Sequence, residues 1–332
     1  MTTKIEWTHK TVNLAWGCQK VSPGCEHCYA ERISAVRASH PNPKIAVMYE
    51  GVVDSDGHWT GRVNLAEKFP TLPRKGRRIF LGSMTDLFQV GVPQVFLVKL
   101  WQWMEAYPQH TFQVLTKRPE RMADFLGEYF SSPLPNVWGM TTVCNQSEAD
   151  EKIPHLLHAP LAVRGVSIEP MLGPVDLRRI VSPDMAEGNF LDALQGPVSV
   201  ACCGGIRPKC APALNWIICG GETGPGARPM HPDWVRSLRN QCQQAGVPFF
   251  FKSWGEWLPC SQCADDDPHI ERLSYSAPYT EIGDDGIMDM DIGEGVICRN
   301  GVSTEQIFHV GKRRAGRLLD GRTWDEFPEV MI

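Results

Sequence analysis

A strand-then-helix rhythm repeats from about residue 78 to residue 254, and it limits the possible folds more than any other feature of the chain. Short apolar runs recur: Arg78-Ile79-Phe80-Leu81, Thr111-Phe112-Gln113-Val114-Leu115-Thr116, residues 136–142, residues 162–169, Leu214-Asn215-Trp216-Ile217-Ile218-Cys219 and residues 247–251. Runs of this length read as strands when turn residues bound them. Helical spacing follows them. Phe96, Leu100, Met104 and Tyr107 come after Pro93; Met122, Phe125 and Leu126 come after Pro119; a helix-like segment spans about 149–157. Pro232 opens a helix carrying Trp234, Val235, Leu238 and Cys242, and Gly246 ends it. Alternation of this kind implies a parallel sheet, because parallel strands need a long crossover, usually helical. With one more strand before Cys18, about seven β/α units are expected, and the fold class is α/β: a full or partial TIM-type parallel β/α barrel.

Two regions depart from the rhythm. Residues 178–213, with Gly188, Gly196, Gly204 and Gly205, read as an insertion. Residues 259–332, acidic at Asp265 to Asp267 and at Asp284 and Asp285, read as a C-terminal extension. The barrel domain is thus expected over 1–258 with the insertion inside it.

A chain of 332 residues buries enough surface to fold without covalent or metal staples, so folding alone does not account for its 12 cysteines. Its net charge of −5 argues against coating nucleic acid through bulk charge, although a local basic groove is compatible with it. No apolar run approaches the roughly 20 residues of a membrane span, and the opening MTTKIEWTHK lacks a secretory apolar stretch. A cytoplasmic protein with no membrane partner is expected. In a reducing compartment cysteines read as thiols or ligands rather than disulfides.

The stretch Gly17-Cys18-Gln19-Lys20-Val21-Ser22-Pro23-Gly24-Cys25-Glu26-His27-Cys28-Tyr29-Ala30 concentrates three of them in one loop, with six and then two residues between successive cysteines. Thiolates hold iron–sulfur clusters, and three of them on a four-iron cluster leave one iron open to a cofactor or substrate. A structural zinc site is the alternative, closed by His9, His27 or a distant cysteine, and buried thiols are the plain one. Cys202, Cys203 and Cys210, with Cys260 and Cys263, are candidates for a second metal site; Cys144, Cys219, Cys242 and Cys298 read as small buried hydrophobes.

The segment GCQKVSPGCEHCYAER resembles the phage-type three-cysteine-motif family of bacteriophages and bacteria, an orphan family related to radical SAM proteins. The resemblance continues through RRIFLGSMTDLF, HTFQVLTKRPERM, VSIEPMLGPVDL, ICGGETGPGARPMHPDWVRSLRNQC and PFFFKSWGEW, to about residue 257. Radical SAM proteins usually space these cysteines three and two apart with an aromatic residue before the last. Here the first gap is six, and His27 holds that place. Ser83-Met84-Thr85-Asp86 and Leu115-Thr116-Lys117 resemble strand-end motifs of the spore photoproduct lyase branch, whose members act on nucleic acid.

The resemblance implies a radical SAM-like enzyme in which Cys18, Cys25 and Cys28 bind a 4Fe-4S cluster. It also implies S-adenosylmethionine as cofactor, an electron donor as partner, and nucleic acid or a nucleotide as substrate. A non-catalytic zinc-stabilised protein that binds DNA or another protein is the competing reading, and an electron carrier with a closed cluster is a third.

Strand ends supply the ligand-facing residues of such barrels. Ser83, Asp86, Thr116, Lys117, Glu169, Gly220, Gly221 and Glu222 all follow expected strands and are the candidate cofactor-binding residues. Asp86 reads equally as a helix cap. Glu169 and Glu222 suit a bound ammonium or sulfonium or a neighbouring arginine, and Gly220-Gly221 suits close backbone approach. Lys117, Arg118, Arg228 and Lys252 add positive charge, each also a candidate for an internal ion pair. Trp254 and Trp257 suit stacking on a base but more often pack a core. The basic run 74–78 reads as a solvated loop. No catalytic residue is assigned.

Overall fold

A computed structural model describes residues 3–130, 132–182, 188–196, 213–263, 279–283, 288–289 and 304–329. The chain has two compact units, Met1–Thr142 with Glu151–Val166, and Val143–Asp150 with Ser167–Ile332.

In the first unit, β1 (Lys10–Val12) lies parallel to β4 (Arg78–Leu81), pairing Thr11 with Phe80. β4 pairs in turn with β5 (Thr111–Thr116), and β5 with β6 (Val137–Thr142), both parallel. Between β1 and β4 the chain forms β2 (Ala15–Trp16), α1 (Tyr29–Ala38), the short α2 (Pro43–Ala46) and β3 (Asn64–Leu65), which pairs antiparallel with β2. α3 (Gln94–Glu105) and α4 (Pro119–Tyr129) are the crossover helices. α3 buries Phe96, Leu97, Leu100, Trp101 and Met104, a stripe at helical spacing, and Trp101 meets Phe88 and Phe125 edge-on. Each such side chain contributes about 1.5–3 kcal/mol through burial. α5 (Gln146–His158) and β7 (Val163–Ile168) follow, each divided between the two units.

In the second unit, β8 (Trp216–Cys219) and β9 (Phe249–Phe251) are parallel, joined through α6 (Pro232–Ala245). Gly246 ends α6 at φ +68°, as the sequence predicts for a left-handed cap. β10 (Trp257–Pro259), β11 (Tyr279–Gly283), β12 (Met288–Asp289) and β13 (Thr304–His309) form an antiparallel sheet in the order β10-β13-β11-β12.

The described strands of the parallel sheet run in the order β1-β4-β5-β6-β7-β8-β9. The α/β class and the parallel sheet agree with the sequence. Its seven strands match the roughly seven β/α units expected, and the eight of a full TIM barrel are not reached among the described residues. No helix among the described residues is long and apolar enough to cross a membrane.

The expected extension 259–332 is not simply appended. Its last part returns to β9: Phe251 N–H donates to Trp324 O at 2.9 Å, Phe249 N–H to Glu326 Oε2 at 2.9 Å, and Phe250 bridges Asp325. This covers a strand edge that would otherwise present unpaired backbone groups. Of the expected insertion, Ile180 and Leu191 form an antiparallel bridge, while 183–187 and 197–212 lie outside the described residues.

Asp320 anchors this returning segment. It is the one described non-glycine residue at positive φ (+51°), and Gly321 follows it at +76°. Its carboxylate accepts from Arg236 at 3.0 Å, Arg239 at 2.5 Å and Gln262 at 2.9 Å. Burial works to raise its pKa, but the hydrogen bonds from Gln262, Arg239 and Arg236, with the Arg236 charge, outweigh it and hold the group at about 2. An acid whose folded pKa is depressed adds stability above its unfolded value, near 3.9, and loses it as the pH falls through the folded value. Asp320→Asn is therefore expected to flatten the fall in melting temperature between about pH 4 and pH 2. Equal slopes for the two proteins in thermal melts would exclude this role.

Candidate functional site

In the first unit the three-cysteine loop starts at Gly17, whose φ of +100° and crowding require glycine: a Cβ there would stand 2.1 Å from Arg62 O. The loop start is pinned to the polar segments that follow β4 and β5. Gly17 N–H donates to Met84 O at 3.1 Å, and Gly17 O accepts from Thr85 Oγ1 at 2.6 Å and from Gln89 Nε2 at 2.9 Å. Arg118 donates to Gln19 O at 3.0 Å. Beyond the loop, Tyr29 Oη donates to Ser83 O at 2.8 Å, and Lys20 pairs with the buried Glu31 of α1 at 2.7 Å.

Asp86 joins these segments. Its Oδ1 accepts from Phe88 N–H at 3.0 Å and Thr116 Oγ1 at 2.6 Å; its Oδ2 accepts from Lys117 N–H and Arg118 Nη1, both at 2.9 Å. Four donors match the roughly four acceptor positions of a carboxylate. Asp86 thus positions the loop after β5 and orients Arg118, a wider role than a local helix cap. Thr116 gives its hydroxyl proton to Asp86 and accepts Arg118 N–H at 2.9 Å. Ser83 Oγ donates to Asn13 Oδ1 at 3.1 Å. Lys117 is half-buried beside them.

Cys18 is half-buried, Cys25 is buried in a short 3-10 turn (Pro23–Cys25) capped by Ser22, and Cys28 caps the N-terminus of α1. None of the three is in a disulfide. Burial pushes the Cys18 thiol up to about 11, the Asp86 charge adding to the rise and Arg118 opposing it. Among the described residues no group of three or more His, Cys, Asp or Glu side chains is placed as a ready metal-holding set. The donor chemistry suits an iron–sulfur cluster: three thiols on one loop, the last of them at the N-terminus of α1.

In the second unit the other candidates form two ion pairs. Glu222 receives Arg228 at both oxygens, from Nη2 at 2.7 Å and from Nε and the backbone N–H at 2.8 Å each. Glu169 pairs with Lys252. The arginine alternative weighed for Glu222 is therefore the arrangement present. Gly221 is required by close backbone approach, since a Cβ would lie 2.1 Å from Trp254 O. The neighbour is thus the chain itself. A Cβ at Gly220 would stand 3.3 Å from the Lys252 Cβ and 3.5 Å from the Glu169 Cγ. Trp254 and Trp257 donate their indole N–H groups to Leu318 O at 2.8 Å and Ala227 O at 2.6 Å, which makes them packing residues.

Of the second metal set, Cys202, Cys203 and Cys210 lie outside the described residues, while Cys260 is exposed and Cys263 half-buried. Cys144, Cys219 and Cys242 are buried as expected, and Cys298 lies outside the described residues. The sequence did not point to Gln89 or Glu31 as supports of the cysteine loop. Their partners lie up to 72 residues away, and no local pattern announces them.

A family model described as "Protein of unknown function (DUF5131)" matches residues 2–328. The chain belongs to the DUF5131 family. No curated protein matches it. No solved structure does either. The DUF5131 match covers nearly the whole chain, so the parallel sheet, the cysteine loop and the returning C-terminal segment all fall within one family unit.

Proposed function

We propose that this DUF5131 protein is a radical SAM-like enzyme in which Cys18, Cys25 and Cys28 hold a 4Fe-4S cluster. One observation carries the reading: three cysteines share a loop whose start is tied by backbone and side-chain hydrogen bonds to the ends of two parallel strands. When bound, such a cluster with S-adenosylmethionine supplies one-electron reductive cleavage of the cofactor's carbon–sulfur bond.

The chain's own residues do the positioning. Asp86 fixes Arg118, and Arg118 fixes Gln19 one residue beyond Cys18. Ser83, Thr116 and Lys117 are the first unit's candidates for orienting the cofactor's polar groups. Glu169, Gly220, Gly221 and Glu222 lie in the second unit, where the two carboxylates have their charge balanced by Lys252 and Arg228. Burial raises the pKa of the Cys18 thiol, and a bound cation would favour its thiolate. Nucleic acid or a nucleotide as substrate follows from the likeness of the two strand-end motifs to the spore photoproduct lyase branch.

Anaerobically purified and reconstituted protein, mixed with dithionite and S-adenosylmethionine, should yield 5′-deoxyadenosine by chromatography. Protein that holds zinc alone, or a complete cluster that yields none, would refute the enzyme reading. Zinc would favour the binding-protein alternative.

A further inference from the structure

Cys260 and Cys263 are untouched by the proposed function. They bracket a 3-10 turn (Cys260–Gln262) that follows β10. Cys263 N–H donates to Cys260 O at 3.0 Å. A hydrogen bond from residue i+3 to residue i marks a turn whose end Cα atoms lie within about 7 Å, and disulfides span about 4.4–6.8 Å between Cα atoms. Cys260 is exposed, and Cys263 Sγ lies 3.5 Å from Pro259 O.

The turn is held from three directions. Ser261 N–H donates to Glu305 at 2.6 Å, Arg236 reaches the Ser261 hydroxyl at 3.4 Å, and Gln262 exchanges hydrogen bonds with Asp320 at 2.8 and 2.9 Å. The backbone of the two residues is therefore held within the range a disulfide spans, with Cys260 exposed and Cys263 half-buried.

We propose that Cys260 and Cys263 are a redox-active dithiol that closes to an intramolecular disulfide by exchange with a small disulfide such as oxidised glutathione. One protein thiolate attacks a glutathione sulfur, the glutathione S–S bond breaks, and one glutathione thiolate leaves. The second protein thiolate then attacks the protein sulfur of the mixed disulfide, forming the Cys260–Cys263 bond and releasing the other glutathione. The two departing thiolates take up the two protons given up by the protein thiols, and two electrons pass from protein to glutathione. Burial and Glu305 push the Cys260 thiol up, which keeps its thiolate fraction small and the exchange slow.

The test uses the reduced full-length protein in graded mixtures of reduced and oxidised glutathione, quenched in acid, alkylated with N-ethylmaleimide and cut with trypsin. The peptide 253–272 should pass from a doubly alkylated form to one lighter than the reduced peptide by two hydrogens. Cys263→Ser lacks the resolving thiol and should accumulate glutathione on Cys260 to roughly tenfold the wild-type level, with Cys260→Ser doing the same on Cys263. Three results would overturn the proposal: double alkylation at every ratio, equal glutathionylation of wild type and variants, or stoichiometric zinc lost only when these two cysteines are replaced. None depends on the amino-terminal cysteines, so the outcome is independent of the cluster.

Discussion

Replacing Cys18, Cys25 and Cys28 together by alanine should reduce iron and acid-labile sulfide in the anaerobically reconstituted protein from about four of each per chain to background, and remove the cluster's visible absorption. Cys25 is buried and Cys28 packs against a small apolar cluster, but each alanine removes only one sulfur atom, so the triple variant is expected to keep its fold. Circular dichroism checks that. Cys260→Ser should leave iron unchanged, which separates the two cysteine sets. Iron retained in the triple variant would end the assignment, and iron lost from Cys260→Ser as well would move the ligand set elsewhere.

Asp86→Ala is the most disruptive single change expected. It leaves the Arg118 guanidinium, largely buried, without its carboxylate, and strips acceptors from the Thr116 hydroxyl and the Lys117 and Phe88 N–H groups. Breaking a buried charge pair from one side costs about 3–5 kcal/mol. Asp86→Asn keeps the shape and should lose distinctly less. Urea melts of the two variants measure the difference. Because Arg118 also holds Gln19, Asp86→Ala should weaken iron uptake even at temperatures where the protein stays folded. Wild-type stability in Asp86→Ala would show that the four hydrogen bonds contribute little.

The strands were legible because their patterns are local. Residues 111–116 form a strand over the span the apolar run marks, and Gly246 stops α6 where a left-handed residue is needed. The helical stripe Phe96, Leu100 and Met104 is buried as its spacing requires. The site was legible only as residue types. The spacing of Cys18, Cys25 and Cys28 puts three thiols in one loop, but spacing fixes which residues share a loop and not where their sulfurs point. Glu222 and Glu169 stood out as strand-end carboxylates, but their partners Arg228 and Lys252 are choices made by tertiary packing. The return of 316–327 to β9 left no trace in periodicity either. It consists of backbone pairs and indole hydrogen bonds such as Trp216 Nε1–H to Glu326 O, separated by 110 residues.

The double use of the Gly17 carbonyl, which receives both Thr85 and Gln89, makes the amino-terminal loop a poor candidate for transplantation. A designer moving residues 17–29 into another scaffold would have to carry 83–89 and 116–118 along, or the peptide would arrive without the framework that gives it a shape. For the same reason, natural variation in that short stretch is bound to variation some seventy positions downstream, and the two should drift together.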